Sequence, residues 1–402
     1  MHSALKSPLF LLYVGLIYFP SGLLYIGESD FFFEKLTALV LFICSIIAFV
    51  RKGLGNEVVI LLVVFLSFMM LPLILNISDL TAAESGIIDS LGQFIRIFIY
   101  VGVAHYINCI VNNNRKNYLE NLTISFVRAT VYGQMLLFIA RILNLGQLID
   151  YLFISKSIIF SNGGILILKF DGSLGNPNYL GYILCLTLFV IFSLRNLLSR
   201  WEYIILLIFT IGMVLVSGSR TSFVVLVAEL ALFFPIRFVY LIIFLYPFIE
   251  IIALVNDRLF ELYQAIITSG NVESFEERRE LVDQSIAYFS QRPFFGFGYR
   301  PIEMTDNFYV THLMRYGFIG SVAHIAILLV LIYRHSPSFR FMFMFLVPVL
   351  LFNYTGAFVD NFRLYFATSL LFILCANING SIFSSRVSNW RLYKYFPRAV
   401  NS

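Results

Sequence analysis

NDRLFELYQAIITSGNVESFEERRELVDQSIAYFSQRPFFGFGYRPIEMTDN, residues 256–307, is the long polar stretch of a 402-residue chain that is 59% hydrophobic and 17% aromatic. It carries several acids, Arg258, and then Arg278, Arg279, Arg292 and Arg300, with glycines gathered near its end. Only 13% of the whole chain is charged, about half of the roughly 25% usual in a soluble protein. That deficit, with a mean hydropathy of +0.86, points to a polytopic membrane protein. The fold then depends on how many times the chain crosses, and on which side this stretch emerges.

A spanning helix needs about 20 apolar residues. Runs of that kind lie at 8–27, 33–50, 56–76, 91–111, 121–141, 178–195, 202–217, 221–236, 238–255, 309–333, 341–357 and 362–379. They predict an all-α fold of about 12 transmembrane helices. The first run follows Lys6 and reads as a signal anchor that is kept. Lys6, Arg51, Lys52, Arg115, Lys116, Arg195, Arg200, Arg237, Arg334 and Arg340 fall on alternate connections, and Arg386, Arg391, Lys394 and Arg398 on the tail. Short loops rich in Lys and Arg stay in the cytoplasm, so both termini are expected there. The opposite connections hold Glu28, Asp30, Asp79, Glu84, Asp89, Asp150 and Asp171. The long polar loop therefore comes out extracytoplasmic, between the ninth and tenth spans. The expected organisation is one integral membrane domain, 1–402, containing a large loop at 256–308. A second long outer connection, 142–177, ends in FDGSLGNPNYLGY.

Inside the long loop, 273–291 has helical periodicity. Leu281, Ser285 and Tyr288 follow one line, and Val282, Ile286 and Phe289 the next. An amphipathic helix beside a membrane would turn Val282, Ile286 and Phe289 toward lipid or the bundle. Arg292-Pro293 ends it, and FFGFGYRP reads as a Gly/Pro-punctuated turn. Leu259–Ile267 is a second, shorter helix candidate.

Several side chains are candidates for chemistry, each with a plainer alternative. Arg220, in SGSRTS at the mouth between two spans, has the donor geometry to take phosphate oxygens in pairs; it could equally snorkel at a helix end. Arg278 and Arg279 could bind an anion or form a solvated face. Arg292 and Arg300 flank the glycine turn, where solvation is the plainer reading. Asp306 stands before an apolar run, where a carboxylate can take a proton from a hydroxyl or cap the helix. Asn307 follows it, and His312 and Arg315 continue a polar face. A lone His such as His312 is often a packing residue. Asn176-Pro177-Asn178 suits a helix start. Arg96, Arg128 and Glu229 lie deep in spans, where charges usually face a cavity or a partner; an Arg128–Glu229 pair is one arrangement. The four cysteines sit in apolar runs without paired spacing. There is no DxD-type acidic pair, no His/Cys cluster of metal spacing and no Gly-rich nucleotide loop after a strand. Neither a metal, another cofactor nor a nucleic-acid partner is expected.

Four segments together, GSLGNPNYLGY (172–182), SGSRTSF (217–223), ERRELVDQSIAYFSQRPFFGFGYR (277–300) and DNFYVTHLMRYGFIG (306–320), resemble the family of O-antigen polymerases (Wzy-type) and O-antigen ligases. The resemblance implies a metal-independent glycosyltransferase of the bacterial inner membrane. Its donor would be an undecaprenyl pyrophosphate-linked oligosaccharide, and its acceptor a sugar hydroxyl on the outer face. By the same correspondence Arg220, Arg279 and Asp306 are the expected catalytic residues. Arg278, Asn176, Asn178, Asn307, Arg300 and His312 are the expected substrate contacts. Membrane lipid, a flippase and a chain-length regulator are the implied partners. Ligases of this family are expected to have His-Asn where this chain has Asp306-Asn307, which favours a polymerase of O-antigen or capsule repeat units. A ligase is the second reading. A flippase or transporter, from another class, is disfavoured by the lack of an internal repeat and by polar groups gathered outside mid-bilayer.

Overall fold

In a computed structural model the described residues are 7–18, 37, 39–43, 46–47, 95–104, 106–107, 116–143, 170–234, 273–296, 307–355 and 362–386, with the backbone alone for Lys116, Glu273–Arg278, Thr355, Phe362 and Asn379–Arg386. Among them there are helices and no strand. The expected spans 56–76 and 238–255, most of 33–50 and of the 142–177 connection, and the Leu259–Ile267 helix lie outside the described residues. So do Arg300 and Asp306. The helices are α1 (Pro8–Tyr18), α2 (Lys116–Ile142), α3 (Pro177–Ser193), α4 (Arg200–Val216), α5 (Arg220–Phe233), α6 (Glu273–Gln291), α7 (Phe308–His335), α8 (Phe339–Thr355) and α9 (Phe362–Arg386). A further helical segment covers Ile95–Ala104.

α3 is the hub. Its sequence, PNYLGYILCLTLFVIFS, is apolar on every side, and a helix of that kind is stable only when surrounded. Every residue from Leu180 to Phe192 is buried, against α2, α4, α5, α8 and α9. At one end of α3, Phe189 packs edge-on to Phe233 of α5 and to Phe341 and Phe345 of α8, at ring-centroid distances of 5.9, 5.2 and 5.6 Å. Near the other end, Gly181 lets α5 approach so closely that a Cβ there would collide with Ser222 Oγ. Close crossings at small residues are the usual helix contact in a bilayer, where lipid removes the hydrophobic drive for association.

The outside of the bundle is apolar too. Leu136 and Ile139 of α2, Ile205 and Ile208 of α4, and Val322, Val330 and Tyr333 of α7 are exposed. A bundle apolar within and without is matched to lipid. Asn117–Ile142 and Phe308–His335 are long and apolar enough to cross a membrane; the other apolar helices described are shorter.

One end of the bundle collects alternate helix termini. Asn178 of α3 bonds Ser219 at the start of α5, and Phe170 N–H donates to Val216 O at the end of α4. Tyr309 Oη, at the start of α7, donates to Leu350 O of α8 at 3.0 Å. The starts of α3, α5 and α7 thus share an end with the last turns of α4 and α8.

Two expectations are corrected. Arg128 does not pair with Glu229: its Nε donates to Glu202 Oε1 of α4 at 2.7 Å. A long guanidinium can reach toward the charged start of α4, whereas Glu229 is sealed in α5 with no hydrogen-bond partner for its carboxylate among the described residues. The expected tenth span, 309–333, is also not one rod. α7 is broken at Gly317, whose φ of 65° and ψ of −174° are not helical.

Candidate functional site

The first group of candidates sits where α3 and α5 begin. Asn176 is extended and caps α3, its side chain accepting from Asn178 N–H at 2.8 Å with Pro177 in the first turn. Ser219 caps α5 in the same manner, accepting from Ser222 N–H at 3.2 Å. Both caps satisfy N–H groups that a helix start leaves open. The two starts are joined because Ser219 Oγ donates to Asn178 Oδ1 at 2.7 Å. The preceding turn is tied to α2 through Gln134, whose Nε2 donates to Ser173 Oγ at 2.7 Å while its Oε1 accepts from Ser173 N–H at 3.2 Å. Arg220 is the first residue of α5, half-buried beside these caps. Two helix N-termini held side by side present partial positive charge, and Arg220 adds a full one. This corner suits an anion.

The second group lies on α6 and α7. α6 runs over Glu273–Gln291, as its periodicity predicts, and packs on α7. Its inward line is Leu281, Val282, Ser285 and Phe289, with Ser285 buried, while Ile286 is 49% exposed. Val282 and Phe289 of the expected face thus lie on this line, and the polar Ser285 joins them with its Oγ bonded to Leu281 O at 2.7 Å. With its hydroxyl spent within the helix, Ser285 can face a protein neighbour. Arg279 is exposed near the other end of α6, about 18 Å along the axis from Gln291 at 1.5 Å per residue. Arg278 is helical in backbone.

Asn307 caps α7, its side-chain oxygen accepting from Tyr309 and Val310 N–H at 3.0 and 3.2 Å. It is buried, at 7% exposure, so the cap expected from Asp306 is supplied by its neighbour. His312 is fully buried at 0% exposure, and its Nε2 lies 3.0 Å from His324 Nδ1. In a straight helix these twelve-apart residues would be about 18 Å apart along the axis. Phe308 also lies 6.5 Å from His324 between ring centroids, a pair that a straight helix would separate by about 24 Å. α7 is therefore a sharp elbow, with the half from Phe308 to Tyr316 folded toward the half from Phe318 to His335.

The structure thus unites Asn176, Asn178 and Arg220 at one corner, and Asn307 and His312 within the first half of α7. Arg279 stands apart on α6. Tyr182, one turn into α3, packs edge-on to Phe352 of α8 at 5.1 Å, close in sequence to the Leu350 carbonyl that holds Tyr309. The two groups consequently flank the same end of α8. Sequence reasoning missed Gly317 and His324. The signal for the first was the glycine inside RYGFIG, an interruption in an otherwise apolar helical run.

Residues 205–325 match the family described as O-antigen ligase (Wzy_C). The matched segment runs from α4 through Arg220 and α6 to the second half of α7, and it agrees with the resemblance carried by the sequence motifs to the O-antigen polymerase and ligase superfamily. No curated protein matches the chain.

Proposed function

We propose that this membrane protein is a polysaccharide polymerase, moving a glycan from a lipid pyrophosphate carrier to an acceptor sugar hydroxyl on the extracytoplasmic face. The proposal carries with it a single integral domain, 1–402, of about 12 spans, cytoplasmic termini, an inner-membrane location and an outer loop at 256–308. One observation supports it above the others: the O-antigen ligase match covers Arg220, Arg278, Arg279, Asp306 and Asn307 in one segment. Within that segment Arg220 opens α5 beside the joined caps of α3 and α5.

The chemistry follows from charge. The acceptor oxygen attacks the anomeric carbon, the bond to the pyrophosphate oxygen breaks, and the carrier pyrophosphate leaves with the bonding pair. The hydroxyl proton passes to a base, for which Asp306 is the proposed carboxylate. Growing negative charge on the leaving group is stabilised by fixed cations placed before the reaction. Arg220 and Arg279 are the proposed cations, with Arg278, Arg300, Asn176, Asn178 and Asn307 holding phosphate or sugar. His312, buried against His324, serves the shape of α7. No metal is required by this scheme. A flippase and a chain-length regulator are the partners such a reaction would need.

A ligase, passing finished glycan to lipid A core, is the second reading, favoured by the description of the matching family. Arg220→Ala and Arg279→Ala, expressed at normal levels, should each lower chain extension about 100-fold. A polymerase defect leaves single repeat units on core or carrier, whereas a ligase defect leaves long polymer on the carrier alone. Full-length polysaccharide on core from both variants would end the arginine assignment.

A further inference from the structure

The elbow in α7 is joined to the turn that ends α6. Helix starts leave N–H groups without intrahelical acceptors, and a break in mid-helix creates a second start. At Phe318 those donors are taken by another part of the chain: Phe318 N–H donates to Pro293 O at 2.8 Å and Ile319 N–H to Phe294 O at 3.2 Å. The turn is itself closed by Gly296 N–H donating to Arg292 O at 3.0 Å. Gly296 and Gly317 both have positive φ, 68° and 65°; with its ψ of −174°, Gly317 lies in a region entered essentially by glycine alone, at a cost to other residues of about 1–3 kcal/mol. Each also lies against the other segment's backbone. A Cβ on Gly317 would strike the Phe294 carbonyl, and one on Gly296 would come within 2.5 Å of Arg315 O and Gly317 N. Backbone cannot move aside as a side-chain tip can.

The elbow has a second brace. His312, before the break, meets His324, after it, and Phe308 stacks on His312 at 3.9 Å. Phe308 directly follows the Asn307 cap. Two features of the proposed site are therefore referred to one point: α6, which carries Arg278 and Arg279, through the Pro293–Gly296 turn, and the Asn307 cap through the first half of α7. The second half, Phe318–His335, is about 27 Å long at 1.5 Å per residue, close to the roughly 30 Å apolar core of a bilayer. Phe318 and Phe294, both exposed at 56% and 61%, lie at the start of that length, where aromatic residues gather at the membrane surface.

We infer that Gly317, latched by the Pro293–Gly296 turn, is a positioning residue that fixes the arginine helix α6 and the Asn307 cap in one frame for glycan transfer. The inference rests on the proposed reading of α6 and the Asp306–Asn307 corner as walls of the transfer site. Its test uses the full chain with Phe294→Cys and Phe318→Cys, oxidised in membranes, with the linked peptides quantified by mass spectrometry. With Gly317 intact the two cysteines should link almost completely, and adding Gly317→Ala should cut the yield at least fivefold. Glycan transfer per mole of monodisperse purified Gly317→Ala protein should fall at least tenfold, whereas a merely structural glycine would change the amount of folded protein and spare the rate per molecule. Unchanged linking in Gly317→Ala overturns the latch, and reduced linking with unchanged transfer overturns the positioning role. Should Gly317→Ala not accumulate, the oxidised double-cysteine chain with Gly317 intact decides: transfer within twofold of the reduced form supports a fixed latch, and its loss overturns it. Failure of the functional reading is separately visible, since Arg220→Ala and Arg279→Ala would then retain transfer while linking stays complete.

Discussion

α3 and α7 begin alike and end differently. Each opens at the same end of the bundle with an asparagine cap, Asn176 or Asn307, whose side chain accepts from the first free N–H groups. Each carries a glycine within its first three turns. α3 runs on unbroken through Gly181, and α7 breaks at Gly317. The neighbours make the difference. Gly181 faces the Ser222 side chain of a packed helix, which offers a single hydroxyl in place of the two main-chain carbonyls a broken ladder would need. Gly317 faces the main chain of a turn whose Pro293 and Phe294 carbonyls accept the N–H groups released by the break. A glycine permits a bend; acceptors in the right place make the bend stable.

The largest test of the contrast concerns the corner each helix serves. Arg220→Ala, beside the start of α3, and Arg279→Ala, on the helix latched to α7, should each lower glycan transfer about 100-fold, as loss of a positioned charge-stabilising donor does. Lysine should rescue poorly, because a point charge lacks the paired donors of guanidinium. Transfer assays on membranes normalised to protein would show whether one corner alone carries the reaction.

The two glycines should then fail in different ways. Gly181→Ala should cost about 2 kcal/mol by overpacking, seen as earlier thermal unfolding in detergent. Adding Ser222→Gly should recover most of that loss, since the colliding atoms belong to a side chain. No side-chain change should recover Gly317→Ala, where the colliding atoms are the Phe294 main chain. Recovery of both, or of neither, would erase the distinction.

The caps should differ less. Asn176→Ala and Asn307→Ala should each cost about 1 kcal/mol of stability, and Asp at either place should retain most of it. If Asn307→Asp keeps stability yet loses transfer, the side chain also touches substrate; equal transfer would leave it a cap alone. The smallest effect belongs to the pair away from both corners. Arg128→Ala or Glu202→Gln should cost about 0.5 kcal/mol, the scale of a partly exposed ion pair. Neither should change transfer by more than twofold, and a larger drop would extend the site toward α2.

Much of this was legible in order along the chain. The Glu273–Gln291 helix stands out by its period, and the start of α3 by Asn-Pro, because capping depends on residues two or three positions apart. The place of Ser285 on the inward face of α6 was not legible, since its hydroxyl is satisfied only by bonding Leu281 O. Nor was the partner of Arg128: Glu202 is 74 residues away, and opposite charge does not say which of two acids lies within reach.

What the sequence determined by itself is therefore what composition and short spacing control: a helical, lipid-matched chain, the family resemblance later met by residues 205–325, and the Asn176 start of α3. What only the tertiary structure decided is where separate segments share atoms. The Asn178–Ser219 bond, the His312–His324 contact and the latch at Gly317 each join groups whose separation in sequence carries no signal. Lipid rewards any apolar helix, so an unbroken tenth span satisfies the sequence as well as a bent one. Two carbonyls from Pro293 and Phe294 decide in favour of the bend.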